Sequence, residues 1–383
     1  MKKTYCFISA QFLPTRGGVE RYTQSLGKEL IARGNRVIVV TSLRRGLQKH
    51  EIIDGIEVFR ISSLQLMAGR FPIPISFSAL HNAEQWIAKN KVDLLVLQTH
   101  FYPLSLWGAQ IGKKLGLKTI GIDHCTGYML DQGVAGWFGI RYEHICAKKL
   151  AKIPFYGVSK ACCGWMTQLG LSSKGALYNS VDPKQIQKEV QTDSTDWRET
   201  LGLGQNTRIV LYAGRLVPEK GILLLLEAFE KGNIDNTVLV VMGDGPVYGQ
   251  VAQKSNDYIK VLGSQPFEKV LSMMAQTDVF CLPTYYPEGM PTSVLEAVAT
   301  KCCVITTKAG GSKEIIQNGV CGVILNEITV TDLGEAIKFV LESAEWRKTA
   351  VETAYNSLLN NFTWDSTCNK LEQIEGGIFN EQN

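Results

Sequence analysis

Apolar residues in this chain gather in short unbroken runs, and between the runs they return every three or four positions. The runs fall at 4–9, 36–41, 92–98, 119–123 and 155–158, and again at 209–212, 238–242, 259–263, 279–283, 303–306 and 322–325. A short apolar run without alternation reads as a strand covered on both faces, as in a parallel sheet between helices. Residues 19–33 show the other pattern, with Val19, Tyr22, Leu26, Leu30 and Ile31 spaced for one face of a helix that ends at Gly34. Helices are predicted likewise over 222–230, 292–300 and 332–360. Strand and helix therefore alternate through two successive blocks. The fold expected is α/β, two Rossmann-like doubly wound domains, with all strands in the first block parallel and helical segments between them. A length of 383 residues supports two cores, since a single one stops growing near roughly 250 to 300 residues.

Candidate chemistry lies where these strands end. Glu288 follows the run 279–283, and Glu296 lies one to two turns into the helix that opens near Pro291 and Thr292. Loops of this kind sit over the carboxyl ends of parallel strands, where open α/β folds bind ligands, and the N–H groups of a helix start attract phosphate. Two acceptor-only carboxylates flanking an anion site suit a ligand with hydroxyls at both ends and phosphates between. A nucleoside diphosphate sugar has that form. The plainer alternative for each Glu is a solvated surface carboxylate. Arg215 and Lys220 share the loop after the run 209–212, where either one by itself reads as a solvated charge. Gly17-Gly18 opens the first helix, where a glycine pair lets backbone approach a ligand closely or merely makes a turn. His124 falls just past the run 119–123, and His100 ends the preceding strand as a second candidate, on the acceptor side.

Taken in order, these motifs resemble one family. Glu288-Gly289-Met290-Pro291, closed by Glu296, resembles the paired-glutamate motif of retaining nucleotide-sugar glycosyltransferases, family 4 in particular. Gly17-Gly18-Val19-Glu20-Arg21 is similar to that family's glycine-rich start, Gly214-Arg215-Leu216 through Glu219-Lys220-Gly221 to its pyrophosphate-binding pair, and Asn179-Ser180-Val181-Asp182 to its N-G-V-D segment, with Ser180 where glycine is usual. The resemblance implies the GT-B arrangement, two domains facing across a cleft. Residues 1–181 would bind the acceptor, 182–361 the donor, and a last helix within 362–383 would cross back to the first domain. It implies that Glu288 bonds donor-sugar hydroxyls beside the Gly289 and Met290 amides, with Pro291 and Thr292 at the same helix start, and that Glu296 takes the ribose diol. Gly17, Gly18, Asn179 and Gly214 would line the donor, His124 would lie close to the reacting carbon, and Arg215 and Lys220 would stabilise the leaving diphosphate. No cofactor is implied, the donor being a substrate, with UDP-sugars ranked ahead of GDP-sugars.

Composition and charge narrow the setting. No D-x-D, H-E-x-x-H, G-x-S-x-G or P-loop occurs, so neither a metal-dependent single-domain transferase nor those hydrolase and kinase designs have support, and no metal ligand is assigned. The ten cysteines form no C-x-x-C and fit reduced, mostly buried thiols of a cytoplasmic protein. The opening residues lack the apolar length of a signal peptide, and no run approaches a transmembrane helix of roughly 18 apolar residues. Residues 1–182 hold 23 Lys and Arg against 11 Asp and Glu, a net of +12, whereas 183–383 hold 17 against 25, a net of −8. The basic half, with no nucleic-acid motif, points to an anionic membrane or a phosphorylated acceptor. Leu66, Met67, Phe71, Ile73, Ile75 and Phe77 around Arg70, with Trp137-Phe138-Gly139-Ile140-Arg141, form the expected contact on the inner face of the cell membrane. A transferase acting on a glycan or lipid-linked acceptor in surface polysaccharide or glycolipid assembly is the first reading. A nucleotide-sugar epimerase and a non-catalytic sugar-nucleotide-binding protein are the alternatives, and a phosphorylase lacks its pyridoxal-phosphate lysine context.

Overall fold

A computed structural model describes residues 2–15, 17–130, 132–232 and 234–377. Residues 378–383, expected in the last helix, lie outside the described residues. The chain forms two compact units, Met1–Asn179 with Trp364–Asn383, and Ser180–Thr363.

Among the described residues the first unit is built on nine strands: β1 (Thr4–Ile8), β2 (Arg36–Leu43), β3 (His50–Ile53), β4 (Ile56–Leu66), β5 (Phe71–Pro74), β6 (Leu94–Gln98), β7 (Thr119–Asp123), β8 (Pro154–Gly157) and β9 (Ser172–Ala176). Their order is β3-β4-β2-β1-β6-β7-β8-β9, with β5 paired to β4. All five residues of β6 are buried, as are four of five in β1, because helices cover both faces of the sheet. One side of the core gathers Cys6, Ile8, Ile38, Val40, Leu95 and Leu97.

The expectation of parallel strands alone, with helix between, is corrected at one edge. β3 and β5 both run antiparallel to β4. The cause is local: Asp54 and Gly55 both take positive φ, 51° and 80°, and close a two-residue hairpin between Ile53 and Ile56. The proline-containing stretch after Leu66 pairs as the edge strand β5, where Pro72 and Pro74 are tolerated. β9 also went unforeseen, because its half-exposed, polar Ser172-Ser173-Lys174 has no apolar run.

The helix Trp364–Glu375 completes this unit. It buries Trp364, Thr367, Cys368, Leu371 and Ile374. Arg33, the cap of the helix Gly18–Ala32, holds it by bonds to Asp365 (2.5 Å) and Glu372 (2.8 Å).

The second unit carries β10 (Arg208–Ala213), β11 (Thr237–Met242), β12 (Ile259–Gly263), β13 (Val279–Leu282), β14 (Cys303–Thr307) and β15 (Val323–Leu325). They are all parallel, in the order β12-β11-β10-β13-β14-β15. In each unit the chain leaves one strand in opposite directions, at β1 between β2 and β6, and at β10 between β11 and β13. Such switch points open a crevice at the carboxyl ends of the strands, and the loops that follow β1, β6, β10 and β13 carry most of the predicted residues. None of the ten cysteines is joined in a disulfide, and eight are buried. Ser180 is not among the residues with positive φ, so it bears no cost for replacing the expected glycine.

Candidate active site

In the second unit the loops after β10, β11, β13 and β14 lock together through bare backbone. The β10 loop ends in a short 3-10 turn, Pro218–Lys220, closed by Gly221 at φ 74°. A Cβ on Gly221 would lie 2.1 Å from the Pro283 carbonyl oxygen, so only glycine lets the β10 and β13 loops pass this closely. The Tyr285 and Tyr286 N–H groups both donate to the Glu219 carbonyl, at 2.9 and 3.0 Å. From the other side, Gly310 at φ 57° packs where a Cβ would be 2.0 Å from the Glu288 carbonyl oxygen, and the Gly311 N–H donates to Gly289 O at 2.9 Å. Glu288 is thereby fixed between two neighbours. Its Oε1 lies 2.9 Å from the Lys220 Nζ.

Arg215 extends into solvent from the same β10 loop, above a buried Tyr212 whose hydroxyl donates to the Arg215 carbonyl at 3.0 Å. Gly214 donates its N–H to Met242 O, and the Leu216 N–H bonds Asp244 O, which joins the β11 turn to the group. Met290 and Pro291 are buried at the start of the helix Thr292–Ala299, and Glu296 is 8% exposed on its inner part. Arg215, Lys220, Gly214, Glu288, Gly289, Met290, Pro291, Thr292 and Glu296 thus all belong to one loop cluster. Lys220 and Glu288 meet there directly, with Arg215 exposed on the same loop. Such a set can hold an anion on one side and hydroxyl groups on the other.

The remaining predicted residues, Gly17, Gly18, His124 and Asn179, lie in the first unit. Gly17 caps the helix Gly18–Ala32, and a Cβ on it would sit 2.4 Å from Oε2 of the buried Glu20. Burial pushes the Glu20 carboxyl upward, against its own backbone N–H and Arg44. Tyr22 links three of the predicted places. Its hydroxyl donates to Leu177 O, two residues before Asn179, and its ring meets the His124 ring edge-on at 5.0 Å. The His124 Nε2 bonds Gln98 Oε1 at 2.8 Å. Burial lowers the His124 pKa to about 4 against the pull of Asp123, so the ring is neutral near pH 7.

His100 does not face an acceptor, as the sequence reading expected; it is fully buried. Its Nδ1 lies 2.5 Å from Asp123 Oδ2 and its Nε2 3.2 Å from Glu143 Oε2, both carboxylates being buried as well. Burial opposes the charged imidazole, but Asp123 and then Glu143 outweigh it and raise the pKa to about 9. Sequence reasoning did not foresee that Tyr22 and Gln98 contact His124 or that Asp123 and Glu143 contact His100. Asp123, directly before His124 at a strand end, carried a usable signal, whereas Glu143 inside a helix carried none.

Comparison with known proteins places the chain. The model described as Glycosyltransferase Family 4 matches residues 16–174, and the one described as Glycosyl transferases group 1 matches 193–357. The GPI3 subunit of phosphatidylinositol N-acetylglucosaminyltransferase from Saccharomyces cerevisiae is 22% identical over 379 residues, covering 96% of this chain and 81% of the relative. The lipopolysaccharide 1,2-N-acetylglucosaminetransferase of Salmonella typhimurium is 28% identical over 192 residues, 46% of this chain and 50% of the relative. The crystal structure of HepE from Anabaena in complex with UDP superposes with a TM-score of 0.76 at 17% identity, covering 98% of this chain and 100% of that one. Two family models that between them span both units, on a fold shared with GT-B structures over nearly the whole chain, make this protein a member of the family 4 type glycosyltransferases.

Proposed function

We propose that this glycosyltransferase moves a sugar from a nucleoside diphosphate sugar to a glycan or lipid-linked acceptor with retention of anomeric configuration. The observation that carries the reading is the Lys220–Glu288 pair at the β10–β13 switch point, with Arg215 on the same loop. As the sugar–phosphate bond breaks, its electron pair stays on the departing diphosphate. Arg215 and Lys220 are assigned to that charge, and a unit charge about 4 Å away is worth roughly 4 kcal/mol at an effective dielectric near 20. Glu288 accepts from hydroxyls of the sugar, and Glu296 from the ribose diol. The anomeric carbon passes through an oxocarbenium-like state. The acceptor oxygen then bonds to it on the face the diphosphate leaves, and the acceptor proton passes to a diphosphate oxygen. His124 of the first unit is assigned to the donor sugar as a neutral hydrogen-bonding ring. No metal is invoked, the two cations taking that part.

UDP-sugars rank ahead of GDP-sugars as donors, in keeping with UDP in the HepE structure. Relatives are named for phosphatidylinositol and for lipopolysaccharide, which supports a lipid-linked or surface-glycan acceptor. Among the described residues no helix is long and apolar enough to cross a membrane. Work at the inner face of the cell membrane would therefore rest on a surface contact. The first unit offers one: Leu66, Met67, Ile75 and Phe77 are exposed near β5, and Val134, Trp137, Phe138 and Ile145 on the helix Gly133–Leu150, with Arg141 stacked over Trp137 at 5.1 Å. Phe71 and Ile73 are half-buried instead, Phe71 packing against Tyr142.

A mass-spectrometric screen of UDP- and GDP-sugars against acceptor pools tests the reaction. A glycosylated product is expected, unchanged by a chelator, with Arg215→Ala folded but slower by roughly 10² to 10³. Epimerised donor without acceptor, or nucleotide binding without transfer to any acceptor, would overturn the proposal.

A further inference from the structure

We infer that His100 is a positioning residue, clamped between Asp123 and Glu143 so as to fix the loop that follows β7 and, with it, the ring of His124. The clamp joins the ends of two paired strands, β6 and β7, to the helix Gly133–Leu150, which no strand ladder holds. Both ring nitrogens face carboxylate oxygens, and only the imidazolium can donate to both at once. The other carboxylate contacts grip the chain. Asp123 Oδ1 accepts the Cys125 N–H at 3.0 Å, Asp123 Oδ2 also accepts the His100 N–H at 3.2 Å, and Glu143 Oε1 accepts the Met129 N–H at 2.8 Å.

His124 lies between two of these anchored positions. Its backbone is held at Asp123 and Cys125, and its ring between Tyr22 and Gln98. The turn into His100 is itself forced, since Thr99, a β-branched residue, takes φ 65°. A buried charge cluster is a poor source of net stability, because apolar side chains of similar volume often do as well. Holding a geometry is what this one is suited to. The other titratable groups around it are His124 and Cys125 on the loop, Tyr142 and Cys146 on the helix, and Cys162 near Cys125; burial pushes Tyr142, Cys125 and Cys146 toward their neutral forms.

The clamp has an electrostatic side. With His100 charged, the Asp123 carboxylate is compensated and held well below the usual carboxylate range, against its burial. Without that charge, Asp123 would draw a proton onto its neighbour His124. The effect on turnover rests on the assignment of His124 to the donor sugar, whereas the effect on His124 itself does not.

The full chain labelled with ring-¹³C histidine holds five histidine signals, assignable by single substitution. In the wild type His100 is expected to stay charged through neutral pH, and a midpoint in the ordinary range near 6.5 would overturn the clamp without any variant. In folded His100→Gln the His124 signal should shift and its titration midpoint rise by about one pH unit or more. An unchanged His124 signal and midpoint would overturn the inference. Where His100→Gln fails to fold, Glu143→Gln serves, its amide oxygen still accepting from Met129; the His100 midpoint should then fall, and an unmoved one overturns the clamp. In a transfer assay His100→Gln should lose kcat by up to about 10²-fold with little change in donor KM, and the acid limb of the kcat profile should move up with His124. Undiminished turnover by His124→Gln would overturn the assignment of His124 to the donor, while the spectra still decide the clamp.

Discussion

His100 and His124 lie on adjacent strand ends yet shift in opposite directions, and the stability of the protein should record both. His100 has a folded pKa of about 9, above the unfolded value near 6.5. Its contribution is full below about pH 6.5 and is lost as pH rises through about 9. His124 has a folded pKa of about 4, so as pH falls from about 6.5 the unfolded chain takes up a proton that the folded chain refuses, and stability falls. Asp123, depressed by its neighbour, adds a further acid-side loss below its ordinary range. Urea midpoints measured from pH 4.5 to 9 should therefore peak near 6.5. His124→Gln should flatten the acid side and His100→Gln the alkaline side; a curve flat over that range would show that neither ring is held as described. The difference in legibility between these residues and the loop cluster is physical. Arg215, Lys220 and Glu288 sit in contiguous motifs after strands, so their residue types and spacing could be read directly. The partners of His100, Asp123 and Glu143, come from two other elements, and no local pattern states which side chains will meet inside a core.

At the scale of elements, apolar runs were a good guide wherever both faces of a strand are covered, as in β1, β6 and β13. They failed at the edge of the first sheet. β3 is half-exposed, and its signal was the Asp54-Gly55 turn rather than hydrophobicity. Glycines show the same division, since their type is visible but what they make room for is not. Gly310→Ala is the sharpest case, with a left-handed φ and a methyl group directed 2.0 Å from the Glu288 carbonyl. It should cost about 1–3 kcal/mol in urea unfolding and also slow transfer, because Glu288 must move away from its place beside Lys220. Gly34→Ala is the control: φ is 86°, no atom beyond its chain neighbours lies within 4 Å of the added carbon, and it lies in the first unit just past the end of the helix Gly18–Ala32, so stability should fall without loss of turnover. Equal activity in both variants would mean that the β14 loop does not hold Glu288 in place.

Over the whole molecule, the repeated alternation of strand and helix made two α/β units legible, because each pattern reports on its own sheet. That the helix Trp364–Glu375 belongs to the first unit came only from resemblance, since its amphipathic face does not name the surface it covers. The charge division was plain in the sequence, +12 against −8 about residue 182, and the structure adds where apolar side chains accompany the positive half. Phe77 is 90% exposed, and Val134, Trp137, Phe138 and Ile145 recur at helical spacing on one side of the helix Gly133–Leu150. Rings of this kind can enter the headgroup region while each nearby Lys or Arg adds about 1 kcal/mol toward anionic lipid. The two contributions separate by salt, because the electrostatic part is screened and the apolar part is not. Co-sedimentation with phosphatidylglycerol vesicles should thus be strong at low salt and weaker, but not absent, at high salt. A triple variant with Phe77, Trp137 and Phe138 each replaced by Ser should lose the salt-resistant part, and Arg141→Glu the salt-sensitive part. No binding at low salt, together with full activity on a water-soluble acceptor, would remove the membrane from the account and leave the exposed rings to the acceptor itself.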